Sequence, residues 1–189
     1  NVYFENINVA NIFELFTVES QIRLSSFLRK KITIKLDSIN ACSFDEIEHD
    51  NTKSLSLNFQ LLPQDTDGLV ALDFIFLDCI INLLYGGMVT DSKASMRGLG
   101  KSGVKIAQKI TDIFLMVLQE SLMQHLKINV KLSTTSSQLT SVFKQEKSDQ
   151  CYTIFFRVNI DSVICHFKIV MPANTFINID TGVEVNSEA

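Results

Sequence analysis

Gly98-Leu99-Gly100-Lys101-Ser102 has the residue types of a phosphate cradle. Such a loop wraps backbone amides around phosphates and needs a further glycine five positions before the Gly-Lys-Ser. Ser95 stands there, and no strand pattern leads into the segment. The stretch therefore reads as a loop entering a helix, with Ser102 as its N-cap. His49, His125 and His166 fall in a loop, at a helix end and on a strand. None lies at i, i+4 from another ligand type, so no metal motif arises. Asp45, Glu46, Glu48 and Asp50 crowd one loop but lack the central glycine and closing glutamate of a calcium loop. A Gly-x-Ser-x-Gly elbow is missing. Cys79 and Cys165 sit within apolar patterns, where thiols serve packing more often than catalysis. No catalytic residue, metal ligand or cofactor site is expected.

Composition narrows the classes further. The 17 basic and 21 acidic residues leave a net charge of -4, with no electrostatic footprint for nucleic acid. Arg29-Lys30-Lys31, the densest basic cluster, falls at a helix end and suits its macrodipole. The most apolar stretch, 74–84, carries Asp78 and Asn82 and is shorter than the ~20 residues a bilayer crossing needs. Cys42, Cys79, Cys151 and Cys165 show no C-x-x-C spacing and read as reduced thiols of a cytosolic protein. Hydrophobic residues, 46% of the 189, suffice for one packed core.

The elements that would carry any site follow from periodicity. Ile12, Phe13, Leu15, Phe16, Ile22, Leu24 and Phe27 recur at helical spacing over about 10–28. Ile32, Ile34 and Leu36 then alternate with polar residues, as do Leu55, Leu57, Phe59 and Leu61 after a polar loop at 44–53. A short strand at 69–72 and a helix at 74–85 complete this half. Five of the seven glycines (Gly86, Gly87, Gly98, Gly100 and Gly103) fall in the following loop, 86–103. Past it the same order repeats. A helix at 104–125 precedes Ile128, Val130 and Leu132, then Tyr152, Ile154, Phe156 and Val158. The set ends with Val163, Cys165, Phe167, Ile169 and Met171 before a short helix opened by Pro172. Phe155 lies on the polar phase of its strand and is expected to be covered by helices on the sheet's other face. Two copies of α-β-β-β-α predict an α+β pseudo-two-fold domain, an antiparallel sheet flanked by helices. The division is an extension at 1–9, one domain at 10–179 with repeats at 10–85 and 104–179, and a linker at 180–189. The chain reads as part of a longer protein.

Leu84-Tyr85-Gly86-Gly87, the glycine-rich loop, the Ser26–Lys31 junction, Ser54-Leu55-Ser56-Leu57 and Leu72-Asp73 together resemble the middle domain of the FliM family of flagellar motor switch proteins. Val89 stands where that family has its third loop glycine, and Phe74 where it has a proline. The resemblance implies the CheC/FliM-like fold and a non-enzymatic ring component at the cytoplasmic face of the inner membrane, held there through the motor. It implies FliG contact at Gly86, Gly87, Met88 and Val89, and packing against other FliM copies. CheY-phosphate and FliN would bind parts of the family outside this domain. Taken alone, a Gly-Gly pair is more commonly a helix C-cap. CheC-type phosphatases share the fold but carry a helical Asp/Ser-x-x-x-Glu-x-x-Asn pattern. Ser102, Ile106 and Lys109, or Asp112, Met116 and Gln119, occupy that register without the glutamate, and Glu19 is followed at plus three by Ile22. A soluble scaffold unrelated to motility is the third reading.

Overall fold

The computed structural model describes residues 7–47, 53–87, 100–126, 129–136 and 149–179. The first half contains α1 (Ile7–Leu28), β1 (Ile32–Ser43), α2 (Phe44–Ile47), β2 (Ser54–Leu62), β3 (Thr66–Asp73) and α3 (Phe74–Leu84). The second contains α4 (Lys101–Met123), β4 (Asn129–Ser136), β5 (Gln150–Ile160), β6 (Val163–Pro172) and a 3-10 helix, Ala173–Ile179. The strands form one six-stranded sheet in the order β1-β5-β6-β3-β2-β4. Every adjacent pair is antiparallel.

Exchanging β1 with β4, β2 with β5 and β3 with β6 turns that order into its own reverse. A pseudo-dyad therefore runs between the central strands β3 and β6, where Val70 pairs with Ile169. The symmetry extends to irregularities. Leu36 of β1 pairs with Phe156, and Leu132 of β4 pairs with Phe59; the ladder slips just beyond each pair. Two copies of one supersecondary unit bury a single continuous core.

The inward phase of the strands supplies Ile34, Phe59, Leu72, Phe156, Phe167 and Ile169 to that core, and the helices add Phe13, Phe16, Phe76, Ile80 and Phe114. Phe167 is its hub. It stacks on Phe114 at 4.2 Å and on Phe156 at 4.6 Å, with interplanar angles of 13° and 12°. Phe16 reaches the same stack, 5.1 Å from Phe156. Such ring pairs add about 0.5–1.5 kcal/mol each beyond their area burial. In the first half the position equivalent to Phe167 is Gly68, paired directly with Phe59. The Phe59 ring lies over that bare backbone, so a Cβ there would sit 2.2 Å from its nearest atom.

Four details differ from the periodicity. First, α1 begins before Ala10, because Val9 is buried in the core. Second, β1 continues to Ser43 and leads straight into α2, inside the segment expected to be a polar loop. Phe44 and Ile47 of α2 pack with Leu69, Cys151 and Val170 on the face of the sheet turned away from the main core. Third, Leu15 and Ile22 are 50% and 57% exposed and form an outer stripe on α1 with Val18. Fourth, Phe155 is only half-buried; the Lys168 ammonium lies over its ring at 6.0 Å, where helix cover was expected. The last element is a 3-10 helix starting at Ala173, with Pro172 closing β6.

Replacing Gly68 with alanine should destabilise the fold by about 1–3 kcal/mol, because the packed Phe59 ring must move aside. Urea unfolding followed by circular dichroism measures this; an unchanged midpoint would contradict the close ring-on-backbone contact.

Candidate functional site

At the end of α3, an apolar helix meets solvent. Phe74, Phe76, Leu77, Cys79 and Ile80 are buried, while the last turn leaves the core. Leu84 and Tyr85 are 41% and 70% exposed, and Gly86 and Gly87 are exposed as well. The helix stops through a pair of reversed bonds. Gly86 N–H donates to Leu83 O at 3.2 Å, and Gly87 N–H donates to Asn82 O at 2.7 Å. That is the Schellman pattern, which requires a left-handed residue just past the C-cap. Gly86 supplies it, with φ +74°. At Gly87 the constraint is proximity, since a Cβ would lie 3.3 Å from Asn82 O. Both glycines thus serve as a cap. Met88 and Val89 lie outside the described residues.

The end of α1 makes the same motif without glycine. Arg29 adopts φ 51°. Its N–H donates to Ser26 O at 3.4 Å, and Lys30 N–H donates to Ser25 O at 3.2 Å. This basic cluster therefore lies beyond the helix and forms its terminating turn. The chain closes one helix with a bulky residue and the other with two bare ones. Only the second leaves exposed backbone beside an exposed aromatic ring.

The remaining candidates do not converge. Gly100, not Ser102, is the N-cap of α4, and it makes no side-chain cap bond. Gly98, Leu99 and Ser95 lie outside the described residues, as do His49, Glu48 and Asp50. Asp45 and Glu46 occupy the first turn of α2. His125 follows α4, and the exposed His166 is 4.0 Å from an Asp73 oxygen. Among the described residues no three His, Cys, Asp or Glu side chains gather as metal ligands. No described helix is long and apolar enough to cross a membrane. An open groove beside the α1–β1 junction is lined by Gln21, Ser25, Lys30 and Lys31. Three of its polar groups are already engaged. Gln21 Oε1 accepts Ile34 N–H at 2.9 Å, Ser25 Oγ accepts Ile32 N–H at 3.1 Å, and Lys30 pairs with Asp161 at 2.9 Å.

On the outer surfaces of α1 and α4, Glu19, Ile22, Asp112 and Met116 are exposed and Gln119 is half-buried. Partial desolvation by its neighbours raises the Asp112 carboxyl above its usual value, although the residue as a whole is exposed. Met116 stands where a phosphatase pattern places its glutamate, and Ile22 where it places its amide. Residues beyond the periodicity emerge here too. The outer stripe of Leu15, Val18 and Ile22 on α1, and Met116 and Met123 on α4, are large apolar groups left in solvent. Helical spacing alone could not separate that stripe from the buried one.

Comparison with known proteins agrees with this geometry. Residues 5–185 match the family described as flagellar motor switch protein FliM. The FliM middle domain of Vibrio alginolyticus superposes with a TM-score of 0.76 at 17% identity, covering 91% of this chain and 97% of that one. The FliM of a FliG–FliM complex from Helicobacter pylori gives 0.79 at 15% identity, covering 90% and 94%. A CheC-like superfamily protein from Shewanella gives 0.50 at 10% identity, covering 87% and 97%. A search of curated proteins returned no match.

The cap can be tested without a partner. Changing Gly86 to alanine should cost about 1 kcal/mol, the penalty of a left-handed residue with a Cβ, and asparagine should cost less. Nothing lies within 4 Å of a Cβ at Gly86, so a loss above about 3 kcal/mol in thermal unfolding would indicate a different constraint.

Proposed function

Because the chain belongs to the FliM family of flagellar motor switch proteins, we propose that it is a non-catalytic coupling module of the switch ring. Its contact for the neighbouring switch protein FliG lies at the end of α3. One observation carries this reading: Tyr85, 70% exposed, stands beside a turn that presents bare backbone at Gly86 and Gly87. Arg29 ends α1 with the same turn, so capping alone does not call for a pair of glycines. Absent side chains allow a partner's surface to approach the backbone, and an exposed aromatic provides an anchor. The FliG–FliM complex from Helicobacter pylori, alike in fold, supports FliG as that partner. Met88 and Val89 extend the proposed contact.

Copies of the chain would sit side by side in the ring. The exposed apolar residues Leu15, Val18 and Ile22 support α1 as part of that contact. Such a ring component works at the cytoplasmic face of the inner membrane without crossing it. Signal capture by CheY-phosphate on another part of the protein would bias two arrangements of the ring. This domain then transmits the change to FliG through rigid packing.

The fold is also that of CheC-like proteins, so fold alone does not separate coupling from phosphatase chemistry. The outer faces of α1 and α4 favour coupling, since Met116 stands in place of the acid and Ile22 in place of the amide that the phosphatase pattern carries.

Titration with the FliG middle domain tests the assignment. Tyr85→Ala should weaken binding by roughly tenfold or more while leaving stability within about 0.5 kcal/mol. Replacing Gly87 with a bulky residue should weaken binding as well. Unchanged affinity in Tyr85→Ala would remove the proposed contact.

In the same assay series, the chain should leave the rate of CheY-phosphate decay unchanged. Acceleration would favour the phosphatase reading.

A further inference from the structure

Cys42 and Cys151 are 109 residues apart in sequence and direct partners across the β1–β5 ladder. Their sulfurs lie 3.4 Å apart. Directly opposed residues of an antiparallel pair have Cα separations of about 4.5–5.5 Å, inside the range that a disulfide spans. The sulfurs need to close by roughly 1.4 Å to reach bonding distance. Both are free thiols.

The two thiols are not equivalent. Cys42 is partly exposed near the end of β1, whereas Cys151 is fully buried. Thr153 Oγ1 lies 3.1 Å from the Cys42 sulfur. The hydrogen bond from Cys151 lowers the Cys42 pKa to about 6, with help from Thr153 and Lys168 and against burial and Glu46. The same bond, together with burial, pushes Cys151 above its ordinary value. An accessible thiolate beside a protonated thiol is the arrangement of an attacking and a resolving cysteine. Cys79 and Cys165 provide an internal contrast. Their thiols also interact, but both residues are buried and the Cys165 pKa is raised.

We propose that Cys42 and Cys151 are a peroxide-responsive pair whose oxidation forms a cross-strand disulfide between the edge strand β1 and β5. The Cys42 thiolate attacks one oxygen of hydrogen peroxide, the O–O bond breaks, and the departing hydroxide takes a proton to become water. Cys42 is then a sulfenic acid. Cys151 gives up its proton and attacks that sulfur; the S–O bond breaks and a second water leaves. Two thiols lose two electrons in all, and one peroxide is reduced to two waters. A small-molecule thiol reverses the bond by exchange. The link joins the two pseudo-symmetric halves beside α2 and fastens the edge of the sheet. This does not depend on which partner docks at α3.

The chain with all four cysteines is treated with equimolar hydrogen peroxide and mapped by mass spectrometry without reduction. The expected product is about 2 Da lighter and yields a peptide pair linked through Cys42 and Cys151. Its Tm should rise by about 10 °C, as closing a long loop predicts, and return after dithiothreitol. In Cys42→Ser neither the linked peptide nor the rise should appear. Three results would overturn the proposal: Cys42 recovered unlinked as a sulfinic acid, Cys42 reacting no faster than Cys79, or a different linkage.

Discussion

A stack of phenylalanine rings holds the two halves together, and the positions of the remaining elements follow from it. Phe114 of α4, Phe156 of β5 and Phe167 of β6 lie nearly parallel, while Phe16 of α1 closes on Phe156. Phe76 brings α3 to the same rings. Rings packed at this density leave no room for a helix to slide without opening a void. The orientation of α3, and hence the direction in which its capped end faces solvent, is set by contacts on the far side of the helix. The stack is also where the pseudo-symmetry breaks, because Gly68 takes the place of a fourth strand ring. One half thus supplies an aromatic surface and the other a gap filled by Phe59.

Much of this was legible in the residue pattern, and the exceptions have physical causes. Helical spacing placed α1, α3 and α4, β3 was readable as a short apolar run, and alternation placed the other five strands. It lost the second part of β1 because the ladder slips after Leu36. Beyond that point the apolar residue packed on the core is Ile39, three positions on, so the period of two is interrupted. The outward direction of the α1 stripe was not legible for a different reason. A helix apolar on two faces gives no phase by which to choose the inward one. As for the capped end of α3, the glycine pair and its neighbours were readable as a motif. Exposure of Tyr85 depends on where the core ends, which is a tertiary property. The cysteine pair had no local signal at all, since pairing between β1 and β5 creates it.

The contrast between the ends of α1 and α3 bears on how the proposed FliG contact is embedded in a stable fold. Both helices satisfy their last carbonyls by the same pair of backbone bonds. At Arg29 the left-handed conformation carries a side chain and some strain; at Gly86 it carries neither. A turn of fixed geometry, with its donors already satisfied within the chain, gives a partner a rigid backbone surface that needs little ordering on contact.

The paired slips in β1 and β4 have a consequence for assembly. These strands are the two borders of the sheet, and each carries a slip at which its ladder loses register, the kind of irregularity that bends a strand. On β1 the displaced residue is Asp37, whose carboxylate is held at 2.9 Å by Arg157. A kinked border carrying a charge is a poor template for another strand. The β1 margin therefore does not invite a second molecule to continue the sheet into a fibril. Growth of an array from this unit is then favoured through its helical flank, where Leu15, Val18 and Ile22 are exposed.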